Sequence, residues 1–441
     1  MTPVRLRWAA GSFGLTLTLG ATAGAVYLLS AGLGHDFPLD HRQIHGHTQV
    51  FGFAGLLAIG AVEAALPAAL QAPPRRLPRA TFWLFLSAIL LRNVCQPLAA
   101  LPAARLGVVL SAALLLAGTL VVVSYVAFLL GEARPSHRGG ARRLALASGA
   151  TSVYLVFSVG LNAFQALWIA AGRGTVLPRP LTEAFSDAAL PGALLAAGFT
   201  LGLRLAPSLG RTEVNRRLVA RALAVQAGGV GLSLVAWIPD LLPALSLALR
   251  DLGQLLLAVA VVLYLRATGL ASGRGTRPVA DPSLRASDAA VRLSFFALGL
   301  WAAVLCATVA LARLTPLAVR NRWWEDGTRH LFTVGFVTLL VVGAAGRLSP
   351  AFFGRPLASG ALQAASALLV GGGAALRLLQ FPALAWPGLT LVASTAGAPV
   401  VSGLVLLAWN LRKTARSAAA RPPGTPFPPI VGAGSAAGGR G

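Results

Sequence analysis

Twelve runs of about twenty apolar residues, each long enough to cross a bilayer as a helix, constrain this chain more than any other feature. They lie near residues 8–33, 48–70, 80–101, 106–131, 144–171, 185–206, 218–238, 245–266, 290–314, 330–348, 358–381 and 387–410. With 56% hydrophobic and 11% charged residues, an ordinary soluble domain is excluded. The first run follows Arg5 and Arg7 but is longer than the apolar stretch of a signal peptide, so it reads as a retained helix. The expected fold is all-α: a polytopic membrane protein with twelve transmembrane helices over 1–416, including an inner loop at 267–292. A disordered cytoplasmic tail is expected over 417–441, where Pro, Gly and Ala dominate.

A net charge of +24 suits nucleic acid as well as topology, so the placement of the charges decides. With the N-terminus inside and sides alternating, 26 of the 37 Lys and Arg fall on inside segments, 10 outside, and Arg92 within the third run. This skew is the positive-inside rule. No zinc finger, phosphate-binding loop or RNA-binding motif accompanies it. The expected partner is the lipid bilayer, with no nucleic acid. Cys95 and Cys306 both sit in apolar runs and read as buried free thiols.

Chemistry-bearing residues concentrate at the mouth of the second run. Three of the six histidines, His41, His45 and His47, fall within seven residues. The segment after His47 is repeated after His330. Gly52-Phe53, Leu56-Leu57, Gly60-Ala61 and Pro67 match Gly335-Phe336, Leu339-Leu340, Gly343-Ala344 and Pro350 at equal offsets. Eight matches in twenty-one positions, counting the histidines, make the two segments equivalent helices that carry imidazoles to a shared site. At about 100° per residue, His45 shares a helix face with Gln49, Gly52, Leu56, Gly60 and Glu63, and His47 lies about 200° away from it. Glu63 reads as a snorkelling or paired group near the inner surface.

Other polar residues inside apolar runs are Arg92, Asn93 and Gln96 in the third. An intramembrane Arg marks a functional site unless it snorkels to the surface. Tyr154, Ser158, Gln165 and Trp168 share one face of the fifth run with Asn162 beside it, which suits interhelical hydrogen bonding. Runs 6 to 8 contain Asp187, Gln226, Asp240, Asp251 and Gln254 but no histidine. Trp323 and Trp324 read as an aromatic belt, and His137 as a solvated loop residue.

Runs 2 and 10 cross in the same direction, which puts His45, His47 and His330 at one outer level. Imidazoles from facing helices can hold a haem iron from both sides. Arg320, Arg322 and Arg329 are placed to meet haem propionates with charge-assisted bonds. On residues alone, this reading stands beside one in which these groups are polar helix ends at the interface. A secondary transporter also suits twelve helices with internal symmetry, although the polar residues sit shallow for a midplane substrate site. A scaffold without a cofactor is a third reading.

His45-x-His47 with Val50-Phe51-Gly52-Phe53-Ala54-Gly55 resembles the NnrS family of haem- and copper-containing membrane proteins. So does Arg329-His330-x-x-Thr333-Val334-Gly335, continuing to Gly354-Arg355-Pro356-Leu357. More distantly the chain resembles subunit I of the haem–copper oxidases, with twelve helices and haem-ligand histidines on helices 2 and 10. The resemblance implies haem, copper as a further metal, and a redox partner. It also implies a place in the bacterial cytoplasmic (inner) membrane and a role in the response to nitric oxide, nitrosative or redox stress. Two departures matter. Runs 6 and 7 lack the histidines of an oxidase copper centre, so oxygen reduction is not expected. Ala351-Phe352-Phe353 stand where the family pattern has a histidine before Gly-Arg-Pro-Leu, which puts a second metal site in doubt. The internal match to His330 favours His47 as its partner. The polar stripe, and the oxidase-like spacing to Phe51, favour His45. Because the two rings point apart, they could also serve two centres.

Overall fold

The computed structural model describes residues 3–35, 37–70, 75–132, 140–209, 214–238, 241–271, 284–314, 322–353 and 355–417. Over these residues the chain forms helices α1 (3–32), α2 (39–70), α3 (Arg79–Cys95), α4 (Pro102–Gly131), α5 (Gly140–Ala170) and α6 (Arg179–Leu205). It continues through α7 (Arg216–Val235), α8 (Pro243–Thr268), α9 (Arg285–Leu314), α10 (322–353), α11 (Gly360–Leu378) and α12 (Gly388–Arg416). No strand occurs among the described residues. Ten of these helices are long and apolar enough to cross a membrane. α2 and α3 occupy the places expected for the second and third runs, and α3 is 17 residues long. Residues 272–283 of the expected inner loop and all of the expected tail after Ser417 lie outside the described residues, as does His137.

Local chemistry sets the helix ends. Pro102 opens α4 after the extended Leu101, where its missing N–H is no loss. The Asn215 side chain accepts from the Arg217 and Leu218 N–H groups at 3.1 and 3.2 Å, and Ser359 Oγ accepts from Leu362 N–H at 3.1 Å, satisfying N–H groups that a helix start leaves free. Gly269 closes α8 at φ +62°, a conformation that favours glycine. Glycine also sets the closest helix approach. A methyl group on Gly253 would lie 2.9 Å from the Gly229 carbonyl, so α7 and α8 meet backbone to backbone. Leucines such as Leu106, Leu242 and Leu368 face outward, as lipid contact requires. Cys306 is exposed on this same surface and Cys95 is half-buried, so neither thiol is in the core as expected. An apolar residue in a membrane bundle satisfies its chemistry as well against lipid as against protein.

Sequential helices pack side by side, and α1 closes the circuit against α12. Of the ten membrane-length helices, two are far more enclosed than the others. In α6 and α10, 61% of the apolar window is buried within the protein, against 28–39% in the other eight membrane-length helices. A long stretch of wide π-helical turns interrupts each of α2, α6 and α10, over Thr48–Gly55, Ala188–Leu194 and Leu331–Thr338. Such stretches are rare and often mark functional sites. Those of α2 and α6 touch, as do those of α6 and α10. Side chains stabilise the loosened backbone. Ser12 Oγ donates to the Phe53 carbonyl at 2.9 Å. Gln226 Nε2 donates to the carbonyls of Pro191 and Gly192 at 2.6 and 3.0 Å, and Pro191 has no N–H to keep α6 regular.

The sequence repeat therefore has a structural counterpart and a third member. His47, Asp187 and His330 each stand immediately before a π-helical stretch, and Gly52, Gly192 and Gly335 each follow five residues later. Three helices separate each copy from the next. α2, α6 and α10 form the hub, and the intervening helices enclose three compartments around it.

Candidate functional site

Equivalent residues on three symmetry-related helices face successive compartments, so they do not meet one another. The match between His47 and His330 is thus one of position on the hub, and it is His45 that lies within electrostatic reach of His330. His330 faces the compartment closed by α11, α12 and α1, and His47 faces the next one round, toward α3. A residue two positions from His47 points about 200° away from it, back toward His330. That residue is His45.

His45 and His330 are within electrostatic reach of each other. His45 Nδ1 lies 3.0 Å from the Gly20 carbonyl of α1, and its ring meets the Tyr27 ring edge-on at 6.0 Å. His330 Nδ1 lies 2.8 Å from the Asp326 carbonyl one turn earlier and 3.1 Å from the Asp326 carboxylate. Carbonyl oxygens only accept, so in both rings Nδ1 carries the hydrogen and the Nε2 lone pair is left for a metal. Gly24 keeps room for the His45 ring, because a methyl group there would run into its Cε1 and Nε2. These residues form a donor set suited to haem, whose porphyrin supplies four donors and needs two more from the protein. Among the described residues, no group of three or more His, Cys, Asp or Glu is gathered where it could hold a metal.

Around His330 the structure places residues that the sequence reading passed over. Asp326 Oδ2 accepts from Arg377 Nη1 at 2.6 Å and from Gln380 Nε2 at 2.8 Å. Arg377 is 6% exposed and also lies within electrostatic reach of His45. It is the guanidinium that serves this compartment. Two signals were legible: Asp326 is one helical turn before His330, and Arg377 lies inside an apolar run, the criterion that had drawn attention to Arg92.

The other expected residues lie elsewhere. Arg329 donates to Glu183 of α6, Arg179 to Glu325, and Trp237 Nε1 to Asp187 at 2.7 Å. The Arg329–Glu183 and Arg179–Glu325 pairs thus tie α6 to α10. Arg322 begins α10 but its side chain is outside the described residues, as is all of Arg320. Arg92 does not snorkel. It is 2% exposed, its Nε donates to Gln96 Oε1 at 2.7 Å, and it is within electrostatic reach of His47. His47 is 4% exposed and packs against Phe51 at 4.9 Å. Glu63 accepts from Trp8 Nε1 at 2.7 Å, so it is paired.

No family model matches the chain, and no curated protein matches it. Solved structures do. One, described as the cryo-EM structure of a haem–copper terminal oxidase dimer, aligns with a TM-score of 0.73 at 13% identity, covering 96% of this chain and 85% of that one. The architecture resembles that of a haem–copper oxidase subunit. At this identity the likeness is one of fold, and the site must be argued from its own residues.

Proposed function

We propose that this chain is a twelve-span protein of the bacterial cytoplasmic membrane that binds one low-spin haem between His45 and His330. The observation that carries the proposal is the pair of imidazoles from α2 and α10. Each fixes Nδ1 on a backbone carbonyl, and the two meet in one compartment of an oxidase-like bundle. When bound, haem would supply one-electron redox chemistry, and nitric oxide would reach the iron by displacing one imidazole. Asp326 orients His330 and holds Arg377 beside it, where the guanidinium can offset propionate charge. The motif likeness to NnrS makes the response to nitric oxide or redox stress the best cellular role, with a redox partner still to be found. The charge skew places both termini in the cytoplasm and the His41–His47 segment outside.

An optical spectrum of the purified, dithionite-reduced protein tests the proposal. Sharp low-spin bands are expected, with none from a chain in which the histidines are only polar helix ends. No cyanide-sensitive oxygen uptake is expected with a reduced donor, and robust uptake overturns the non-oxidase reading.

A further inference from the structure

The compartment on the far side of α2 contains an unusual electrostatic arrangement. Arg92 is 2% exposed, and among the described residues no carboxylate forms an ion pair with it. Its one side-chain partner is the neutral Gln96, and its Nη1 is buried with no protein partner. Both ring nitrogens of His47 are buried without partners, and so are both polar atoms of the Asn162 side chain, which is fully buried. Asn162 and Arg92 are each flanked in the chain by members of the same two apolar clusters. On α5, Asn162 lies between Val159, which shares a hydrophobic cluster with Ile89 and Phe51, and Ala166, which clusters with Ala99. Arg92 lies between Ile89 of α3 and Ala99 just beyond its end. Phe51 and Phe185, 5.8 Å apart, add apolar walls to this compartment.

An arginine stays protonated in a protein, and a buried charge without a counter-charge is strongly disfavoured. Water can satisfy orphaned polar atoms but brings no negative charge. The neutral His47 ring offers an N–H, the Asn162 amide two more, and Arg92 Nη1 its own. Unpartnered donors buried near an unpaired cation among apolar residues are what a small anion requires. Above them, Gln96 Nε2 donates to Gln43 Oε1 at 3.3 Å and to the Thr175 carbonyl at 3.1 Å, and Gln43 Nε2 donates to the Leu177 carbonyl at 3.2 Å. This polar layer separates the site from the loop between α5 and α6. We propose that Arg92, His47 and Asn162 form a buried site for a small monovalent inorganic anion, of the size of chloride or nitrite. The site is separate from the His45–His330 pair and does not depend on haem.

The test is the thermal unfolding midpoint of the full chain in detergent. Sodium chloride or sodium nitrite is titrated against sodium gluconate at constant ionic strength. Gluconate, much larger than chloride or nitrite, controls for screening. A midpoint that rises with chloride or nitrite and then saturates is expected, as for a ligand that binds only the folded state. Arg92→Gln should abolish the rise and Arg92→Lys should retain it. His47→Phe and Asn162→Leu should each raise the half-saturating concentration by about tenfold or more, the loss of one charge-assisted hydrogen bond. Arg179→Gln, on the protein surface, should leave the titration unchanged. Identical midpoints in all three salts overturn the proposal in favour of bound water. An unaltered response in Arg92→Gln overturns it too. If that variant does not fold, unaltered half-saturation in both His47→Phe and Asn162→Leu has the same force.

Discussion

His45 and His47 are two residues apart on one helix and have opposite surroundings. His45 lies along α1, with Nδ1 held by the Gly20 carbonyl and Tyr27 at its edge, and faces His330 across a compartment that also contains Asp326 and Arg377. His47 is enclosed beside Phe51 and Arg92 with neither nitrogen partnered by protein. In the two proposals made above, one ring ligates and the other donates to a guest. The contrast shows how a symmetric hub is put to use. Equivalent positions (His47, Asp187, His330) carry a different residue toward each compartment, and a two-residue offset is enough to recruit a neighbour's ligand.

The largest effect that can break this comparison is on the haem spectrum. His330→Ala or His45→Ala should abolish haem retention or convert low-spin bands to high-spin, while His47→Phe keeps them. Low-spin haem surviving in His330→Ala ends the model, and loss in His47→Phe but not in His45→Ala reverses the assignment. Next in size is Asp326→Asn. The backbone bond to His330 remains, but the carboxylate that orients the ring and holds Arg377 is gone. Haem affinity should fall by about 10–100-fold, as for other groups that position a ligand, measured by haem transfer to an apo-acceptor.

A smaller effect is expected at α1. Gly24→Ala puts a methyl group into the His45 ring and should destabilise by about 1–3 kcal/mol, the usual range for overpacking. Gly14→Ala meets no atom within 4 Å and should be neutral or stabilise by about 0.5–1 kcal/mol. Thermal unfolding of the two variants separates these outcomes, and equal effects from both would mean that the Gly24 contact is not real. The smallest is Arg329→Gln. Because Arg329 is held by Glu183 on the other side of α10, the haem bands should not shift, and a shift would assign Arg329 to the haem side after all.

The sequence by itself determined that the chain is a helical membrane bundle, because apolar run length is set by the bilayer and needs no tertiary information. It also marked His45, His47, His330 and Arg92, because ionisable groups within apolar runs are rare enough to stand out. The repeat after His47 and His330 was legible too, and both copies open identical π-helical stretches. Its third copy was not legible, because after Asp187 only Gly192 and Pro207 keep the pattern while the backbone geometry persists. Only the tertiary structure decided which histidine meets His330. Periodicity gives the angle between two side chains on one helix, but not the direction in which that helix is turned. That direction is fixed by the packing of α2 between α1 and α3. The same limit hid Arg377 and Glu183, whose partners Asp326 and Arg329 lie 51 and 146 residues away in the chain. Sequence carries such pairings only through the fold that brings them together.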